Sequence, residues 1–391
     1  MNFFKTTRIF MLICASALFL TSCGSKAENA APAEKPAESA APAANAETEA
    51  KDSEKKAAPE DVLKVRVGAQ PTSGQVFQFI AEKHGFNKEE GVEVEMVWLS
   101  NLSDAASALT ANQVDVLSTY GTGGPLTQIA NGQDFNMFAG YMIIGETPVY
   151  GKPETEYKDL SSLKGKKIGI TRGGTPDIVL KGILYDEGYS FTYGGTTTIG
   201  TENDPDMIEF IEYKKNTDVL QAIAKGEVDF GATATGYQIQ ARDLGLEVKM
   251  WPDELWNNHS CCRMLATNTY VDNNEEALYR LLRSYLRAEE YMQDNMQEVS
   301  DLVVENLDLQ KETADSFVLS PHMKYDTDPY TKSVEVMWNK MANFGYLQTG
   351  EIDLKDHMNS EIYKRALESL IEDYPDSQFF KDKMEQFNSN N

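Results

Sequence analysis

The sequence predicts an α/β body of two similar lobes joined by hinge crossovers, with helices toward its C-terminal end. Three observations carry that reading. Strand-like and helix-like segments alternate from residue 62 onward, and the order of segments in the first stretch returns in the second. Four of the strands also run into a short turn rich in Gly, Ser, Thr or Tyr. The roughly 330 residues after the leader exceed one ordinary domain of about 100–150.

At the N-terminus, Lys5 and Arg8 precede an apolar run from Ile9 to Leu20, followed by Thr21, Ser22 and Cys23. That run is shorter than the ~20 residues a membrane-spanning helix needs. Its flanks are those of an export signal, expected over 1–22. The small residues ahead of Cys23 match the pattern at which bacterial lipoproteins are cleaved and acylated on the cysteine thiol. Cys23 is therefore the expected lipid anchor, with the protein exported, tethered to a membrane and facing the periplasm or cell exterior. Residues 23–60 are almost only Ala, Glu, Lys, Pro, Ser and Asn. They cannot bury enough apolar area to offset the entropy of ordering, so a disordered tether is expected.

"VLKVRVG" (62–68) reads as a strand, "GQVFQFIAEKHGF" (74–86) as an amphipathic helix, and "VEVEMVWLS" (92–100) as a second strand. The helix "SDAASALTANQ" (103–113) opens on Ser103 with Asp104 in its first turn, which suits the dipole. "VDVLST" (114–119) is a third strand, after which Gly124-Pro125 can start a helix. The order then returns: strand 164–171, helix 175–189, strand 207–214, helix 217–227 and strand 228–234. Residues 108–116 and 222–230 align, each passing from a helix through Val-Asp into a strand that ends in small hydroxylated residues. "LEVKMWP" (246–252) and "CCRMLATNTYV" (261–271) follow, then a long helix over 274–307 and further helices near 312–320, 330–343 and 359–371. The expected division is lobe I over 61–150, lobe II over 151–258, a return to lobe I over 259–372 and a tail over 373–391. Crossovers near 145–155 and 250–265 are natural hinges.

Acidic residues outnumber basic ones, 61 to 36, which argues against a nucleic-acid or anionic-membrane partner. The cysteines are Cys14, Cys23, Cys261 and Cys262, too few for a disulfide-stapled scaffold. There is no Gly-x-Ser-x-Gly elbow, no Gly-x-x-x-x-Gly-Lys phosphate loop and no His-Glu-x-x-His. In an open α/β sheet ligands sit beyond the strand C-termini, where helix N-termini offer free N–H groups. The turns 68–74, 118–125, 171–177 and 233–238 all occupy such places. Two lobes presenting them to each other make a cleft.

The chain resembles the solute-binding proteins of bacterial ABC importers. More narrowly, it is similar to the group serving nitrate, sulfonate and taurine uptake, with relatives that bind thiamine-pyrimidine precursors or riboflavin. The residues carrying this are the lipid-anchor motif at Cys23, "VRVGAQPTSGQVFQFIAEKHGFNKEEGVEVE" (65–95), "LKGKKIGITRGGTPD" (163–177), "AIAKGEVDFGATATGYQ" (222–238) and "CCRMLATNTYV" (261–271) with the helix after it. The resemblance covers about residues 62 to 345. It implies a two-lobed periplasmic-binding-protein type II fold that closes on a small molecule and hands it, as a monomer, to a permease driven by an ATPase. It implies capture without turnover, with no cofactor and no metal.

The turns then place the ligand on Gln70, Thr72 and Ser73, on Thr119, Tyr120 and Thr122, on Arg172, Gly174 and Thr175, and on Thr233, Thr235 and Tyr237. Arg172 at a helix mouth suits a sulfonate, nitrate or carboxylate, although an arginine on an acidic surface can equally pair with an acid. Tyr120, Tyr237, Trp251 and Trp256 offer flat faces to a pyrimidine- or flavin-like heterocycle, while Trp98 is expected in the core. Both ligand classes stay open. In "HSCCRM" (259–264) two thiols and His259 give at most three donors at a spacing unlike a zinc site, and a disulfide between neighbours is strained. The pair Cys261 and Cys262 is expected to start the returning strand as a wall of the cleft, one side chain toward the ligand and one toward the core. The alternative is an enzyme of the same fold, related to thiamine-pyrimidine synthases, that uses this pair.

Overall fold

The computed structural model describes residues 59–70, 75–99 and 102–391. The export signal, Cys23, the linker as far as residue 58, Thr72 and Ser73 lie outside them.

Two sheets organise the chain. In order come β1 (Leu63–Ala69), α1 (Val76–Lys83), α2 (Phe86–Glu89), β2 (Val92–Trp98), α3 (Leu102–Thr110), β3 (Val116–Gly121), α4 (Gly123–Ala130) and β4 (Phe135–Ile144). Then follow β5 (Val149–Gly151), β6 (Lys167–Thr171), α5 (Thr175–Asp186), β7 (Phe191–Tyr193), β8 (Thr197–Ile199), β9 (Ile208–Tyr213), α6 (Asn216–Lys225), β10 (Phe230–Ala232), α7 (Gln238–Asp243) and β11 (Glu247–Met250). Last come β12 (Cys262–Thr267), α8 (Asn268–Asn273), α9 (Glu275–Asp294), α10 (Met296–Leu307), α11 (Lys311–Val318), β13 (Lys324–Tyr325), α12 (Thr331–Asn343), α13 (Glu361–Asp373) and α14 (Gln378–Asn390).

The first sheet has strand order β13-β4-β12-β3-β1-β2, the second β11-β5-β10-β6-β9-β7-β8. Within them, β12-β3-β1-β2 and β5-β10-β6-β9 are the same arrangement. In each, two parallel neighbours flank the opening strand, and one antiparallel strand pairs with the third. The aligned stretches 108–116 and 222–230 occupy equivalent places, α3 into β3 and α6 into β10. The chain leaves the first sheet between Ile144 and Val149 and returns between Met250 and Cys262.

One apolar core lies between the first sheet and helices α1, α9, α10, α13 and α14, with Phe77, Tyr141, Leu282, Tyr285 and Tyr363 fully buried. A second runs from Leu117, Tyr120 and Leu265 of the first sheet to Ile168, Ile170 and α5 of the second, and takes in Val334, Met337 and Met341 of α12. Helix α12 thus packs beneath both sheets, and Lys340 on it reaches Asp186 of α5.

Four features depart from the sequence reading. β4 is a long strand buried along almost its whole length; its continuous apolar run carries no alternation that would mark it as a strand. The expected helix over 274–307 is two helices, because Asn295 takes non-helical angles (φ −128°, ψ 28°) between α9 and α10. Trp98 is 45% exposed rather than in the core, since it ends β2 at the sheet margin. The residues set apart as a tail form α14, whose Phe380, Lys383 and Phe387 are buried.

Candidate functional site

The turn after β3 brings the two sheets together. Thr122 is fully buried; its N–H and its Oγ1 both donate to the Cys261 carbonyl oxygen, at 2.8 and 3.2 Å. This ties the turn to the second crossover. A Cβ on Gly121 would lie 2.7 Å from Thr175 Oγ1, and one on Gly123 would overlap Ile178 and meet Gly173 O at 3.4 Å. A side chain at either position would push away the mouth of α5, which rests directly on both. Behind the turn, Gln75 donates to Thr119 Oγ1 and accepts from Ser118 Oγ (3.0 Å), which fixes the start of α1.

The fourth turn holds the first crossover. The N–H of Thr233 donates to Pro148 O (3.3 Å), and Thr235 Oγ1 donates to Glu146 O (3.2 Å). On the other side of Glu146, His259 Nε2 accepts the Gly145 N–H (3.3 Å) while Nδ1 faces the Trp256 carbonyl (3.2 Å). Both ring nitrogens thus face backbone, and the ring also reaches the Cys261 thiol. The described turns at 121–123, 173–175 and 233–235 therefore converge with both crossovers on one seam.

The third turn is organised by charge. Asp177, one turn inside α5, accepts the Gly173 N–H (2.8 Å), the Lys181 ammonium (2.5 Å) and the Tyr346 hydroxyl (2.7 Å). Asp177 and Lys181 are both fully buried, and Lys181 Nζ sits 4.5 to 5.0 Å from the rings of Tyr193, Phe210 and Tyr346. Burial pushes the Lys181 ammonium below its ordinary range, and Asp177 opposes this. Arg172 pairs with Glu212 at 3.4 Å, lies over Tyr193 and Tyr346, and keeps about half its side chain in solvent.

Residues 74–299, more than half of the chain, match the family described as NMT1/THI5 like. The chain belongs to the NMT1/THI5-like family. No curated protein matches it. In fold it is similar to the periplasmic aliphatic sulphonate binding protein SsuA of Escherichia coli, with 16% identity, 75% of this chain and 91% of that one covered, and a TM-score of 0.59. It is likewise similar to the periplasmic nitrate-binding protein NrtA of Synechocystis PCC 6803 (17% identity, 82% and 92% covered, TM-score 0.63). A ligand binding component of an ABC-type import system from Staphylococcus aureus aligns at 14% identity over 78% and 99% of the two chains, with a TM-score of 0.58. The fold is the two-sheet α/β periplasmic-binding-protein architecture of type II, as the sequence implied.

In this NMT1/THI5-like chain the predicted residues are not equally placed. Thr122 and Thr175 lie at the seam, Thr119 is buried behind it against Gln75, Gly174 opens α5, and Thr233 and Thr235 grip the first crossover. Gln70 follows β1 and is half-buried. Tyr120 is 2% exposed in the second core, with its hydroxyl on Leu99 O (3.4 Å); burial and then Asp104 push that phenol up. Tyr237 is half-buried against the cluster of Val219, Leu220 and Ile223. Trp251 is stacked on His322 at 3.7 Å, and Trp256 lies under Lys340.

The two thiols do not divide between cleft and core. Both sulfurs pack in the first core, 3.5 Å apart, because Ser260 takes a positive φ of 53° and turns the chain just before them. A hydrogen bond from Cys262, with His259 and Arg263 adding, lowers Cys261 to about 5 against its burial. The same neighbour and burial push Cys262 well up. Among the described residues no cluster of three or more His, Cys, Asp or Glu is placed to hold a metal, and no helix is long and apolar enough to cross a membrane.

Sequence reasoning missed Glu146, Asp177, Lys181, Asp253 and His322. Two had a local signal: Glu146 interrupts "MIIGETPVY" and Lys181 interrupts "DIVLKGIL", each a charge inside an apolar run. A Cβ at Gly145 would overlap Cys261 Sγ. Gly145→Ala is therefore expected to lose about 1–3 kcal/mol by overpacking. Urea titration of the double variant with Cys261→Ala should show a smaller loss than the two singles summed.

Proposed function

We propose that the protein is the solute-binding component of an ABC import system, held to a membrane through Cys23, and that it closes on one small molecule at the seam and delivers it to a permease. The observation that supports this most directly is the contact of the Gly121-Thr122-Gly123 turn of one sheet with the Gly173-to-Thr175 mouth of α5 in the other. Strand C-termini of both sheets end there, where a type II fold holds its ligand. The lobes are read as 61–150 with the return 259–372, and 151–258, with the crossovers as hinges. Thr119, Thr122, Gly174, Thr175, Thr235 and the Cys261 backbone would line the pocket, with Gln70, Thr72 and Ser73 at its first turn.

The ligand class follows from charge. An oxyanion held at α5 would meet Asp177, which already takes the Gly173 N–H, and would find Arg172 engaged by Glu212 and two tyrosine rings. This favours a neutral or N–H-donating heterocycle over nitrate or a sulfonate. A thermal-shift screen of thiamine-pyrimidine precursors, flavins, sulfonates and nitrate tests it. A ligand at 100 times its Kd stabilises by about 2.7 kcal/mol. Stabilisation by nitrate or sulfonates alone would overturn the ligand class, and turnover of the bound molecule would overturn the receptor reading. Arg172→Ala is expected to cost under about 1 kcal/mol of stability, as for an exposed ion pair. It should leave the affinity for the heterocycle within about threefold, or under 0.7 kcal/mol, by calorimetric titration.

A second reading, an enzyme working through Cys261, draws on the lowered thiol. It requires a reaction that Cys261→Ser abolishes while the fold persists.

A further inference from the structure

The first crossover carries a buried acid that the ligand reading does not use. Glu146 is 3% exposed. Its N–H donates to Met323 Sδ (3.3 Å), its carbonyl accepts from Thr235, and its Oε1 accepts from Ser320. Its Oε2 is buried and has no partner among the described residues. On the second crossover, Asp253 is 8% exposed, with Oδ2 on His322 Nδ1 at 2.9 Å and Oδ1 buried with no partner among the described residues. His322 in turn lies flat on Trp251. Two further buried hydroxyls with no partner among the described residues, Thr147 Oγ1 and Ser260 Oγ, sit on the same two crossovers. Unpaired buried polar atoms are costly, and here they collect at the joints between the sheets.

We infer that the two crossovers lock on a proton held by Glu146, and that release of this proton loosens them. The inference rests on reading both crossovers as hinges of a ligand-binding protein. The charged and titratable groups facing Glu146 are Asp253 from the second crossover, His322 from the turn before β13, and Tyr150 from β5. Asp253 adds to the cost of ionising Glu146, and its own Oδ2 is taken up by the hydrogen bond with His322 Nδ1. Glu146 is the one left to take the proton. Burial lifts it to about 7, with Asp253 adding and Ser320 and His322 opposing. Once protonated, an acceptor-only carboxylate becomes a donor, so the idle Oε2 can bond a neighbour instead of repelling one.

The sign follows from linkage. The locked form binds the proton more tightly than a loosened form, in which water returns the carboxyl to its ordinary value near 4.5. Between about 4.5 and 7 the locking equilibrium weakens about tenfold per pH unit as pH rises, and it is flat above. Amide hydrogen exchange on the full exported chain, corrected for intrinsic rates, reads this without any ligand. In the wild type, opening of residues 145–148 and 320–323, and of the seam at 121–123 and 173–175, rises with pH and levels off near 7. Glu146→Gln removes the slope, and His322→Gln keeps it. A slope retained by Glu146→Gln, a slope lost in His322→Gln, or a crossover response without one at the seam each overturns the inference. If Glu146→Gln does not fold, infrared difference spectra of the wild type decide: a buried carboxylic-acid C=O band present at pH 6 and gone at pH 8 supports the lock, and its absence at pH 6 overturns it. Ligand-induced thermal shifts persist if the lock is absent, and the slope persists if no ligand is found, so the two ideas fail separately.

Discussion

Replacing Lys383 by methionine lowers stability by about 3–5 kcal/mol, the usual cost of stripping one partner from a buried ion network. Lys383 on α14 is 5% exposed and bonds Glu289 (2.7 Å) and Asp326 (2.5 Å), both of them buried. Glu289 also accepts from the Thr327 N–H and hydroxyl, while Gln386 bonds Asp326 and Asp328. Asn391 donates to Asp328 (2.7 Å), and Asn391 Oδ1 accepts the Thr331 N–H. Without the ammonium, Glu289 and Asp326 face each other in a dry space. The pH dependence separates this from lost packing. In the wild type, burial works against ionisation of Asp326, yet Lys383 holds its carboxyl below the ordinary value. That stabilisation is present above about pH 3.8 and is lost as pH falls through the lowered folded value. Burial already holds Glu289 above its ordinary value, with Lys383 opposing; without the ammonium that rise grows and Asp326 follows it, so the variant loses more stability than the wild type as pH rises. Urea titrations at pH 8 and pH 5 should show the gap between the two proteins narrowing on acidification. A midpoint unchanged from wild type at pH 8 would show that α14 is only laid on the surface.

Gly121→Val should weaken ligand binding about 5–150-fold while leaving the unliganded protein near wild-type stability, because the cost of about 1–3 kcal/mol falls on the closed arrangement alone. Gly121 ends β3 opposite Cys262, where valine suits the strand. Its side chain would strike Thr175 Oγ1 only where α5 lies against the turn. Thr175→Gly in the same chain should recover part of the affinity, since it removes the struck group. Calorimetric titration with the ligand found by thermal shift provides the check, and wild-type affinity in Gly121→Val would mean that the seam does not close on the ligand.

Much of the frame was legible because helices and strands write their period into neighbouring residues. β1, β2, β3, β6, β9 and β10 all lie where alternation or a Val-Asp step placed them, and β1, β3, β6 and β10 end at turns marked by Gly and hydroxylated residues. β4 was not legible, because a strand buried on both faces has no alternation to show. The turns could be named as a site from composition, but their partners could not. Nothing near Arg172 in sequence points to Glu212, and nothing near Asp177 points to Tyr346, 169 residues away.

By itself, the sequence determined the α/β alternation, the repeated strand order and the Gly- and hydroxyl-rich turns after β1, β3, β6 and β10, since each is fixed within a few residues. Only the tertiary structure decided which charges those turns keep free. It seated Asp177 at the mouth of α5, turned both thiols into the core, and buried Lys383 between acids 57 and 94 residues away. A charge's partner depends on where distant segments are brought together, and that distance leaves no local pattern in the chain.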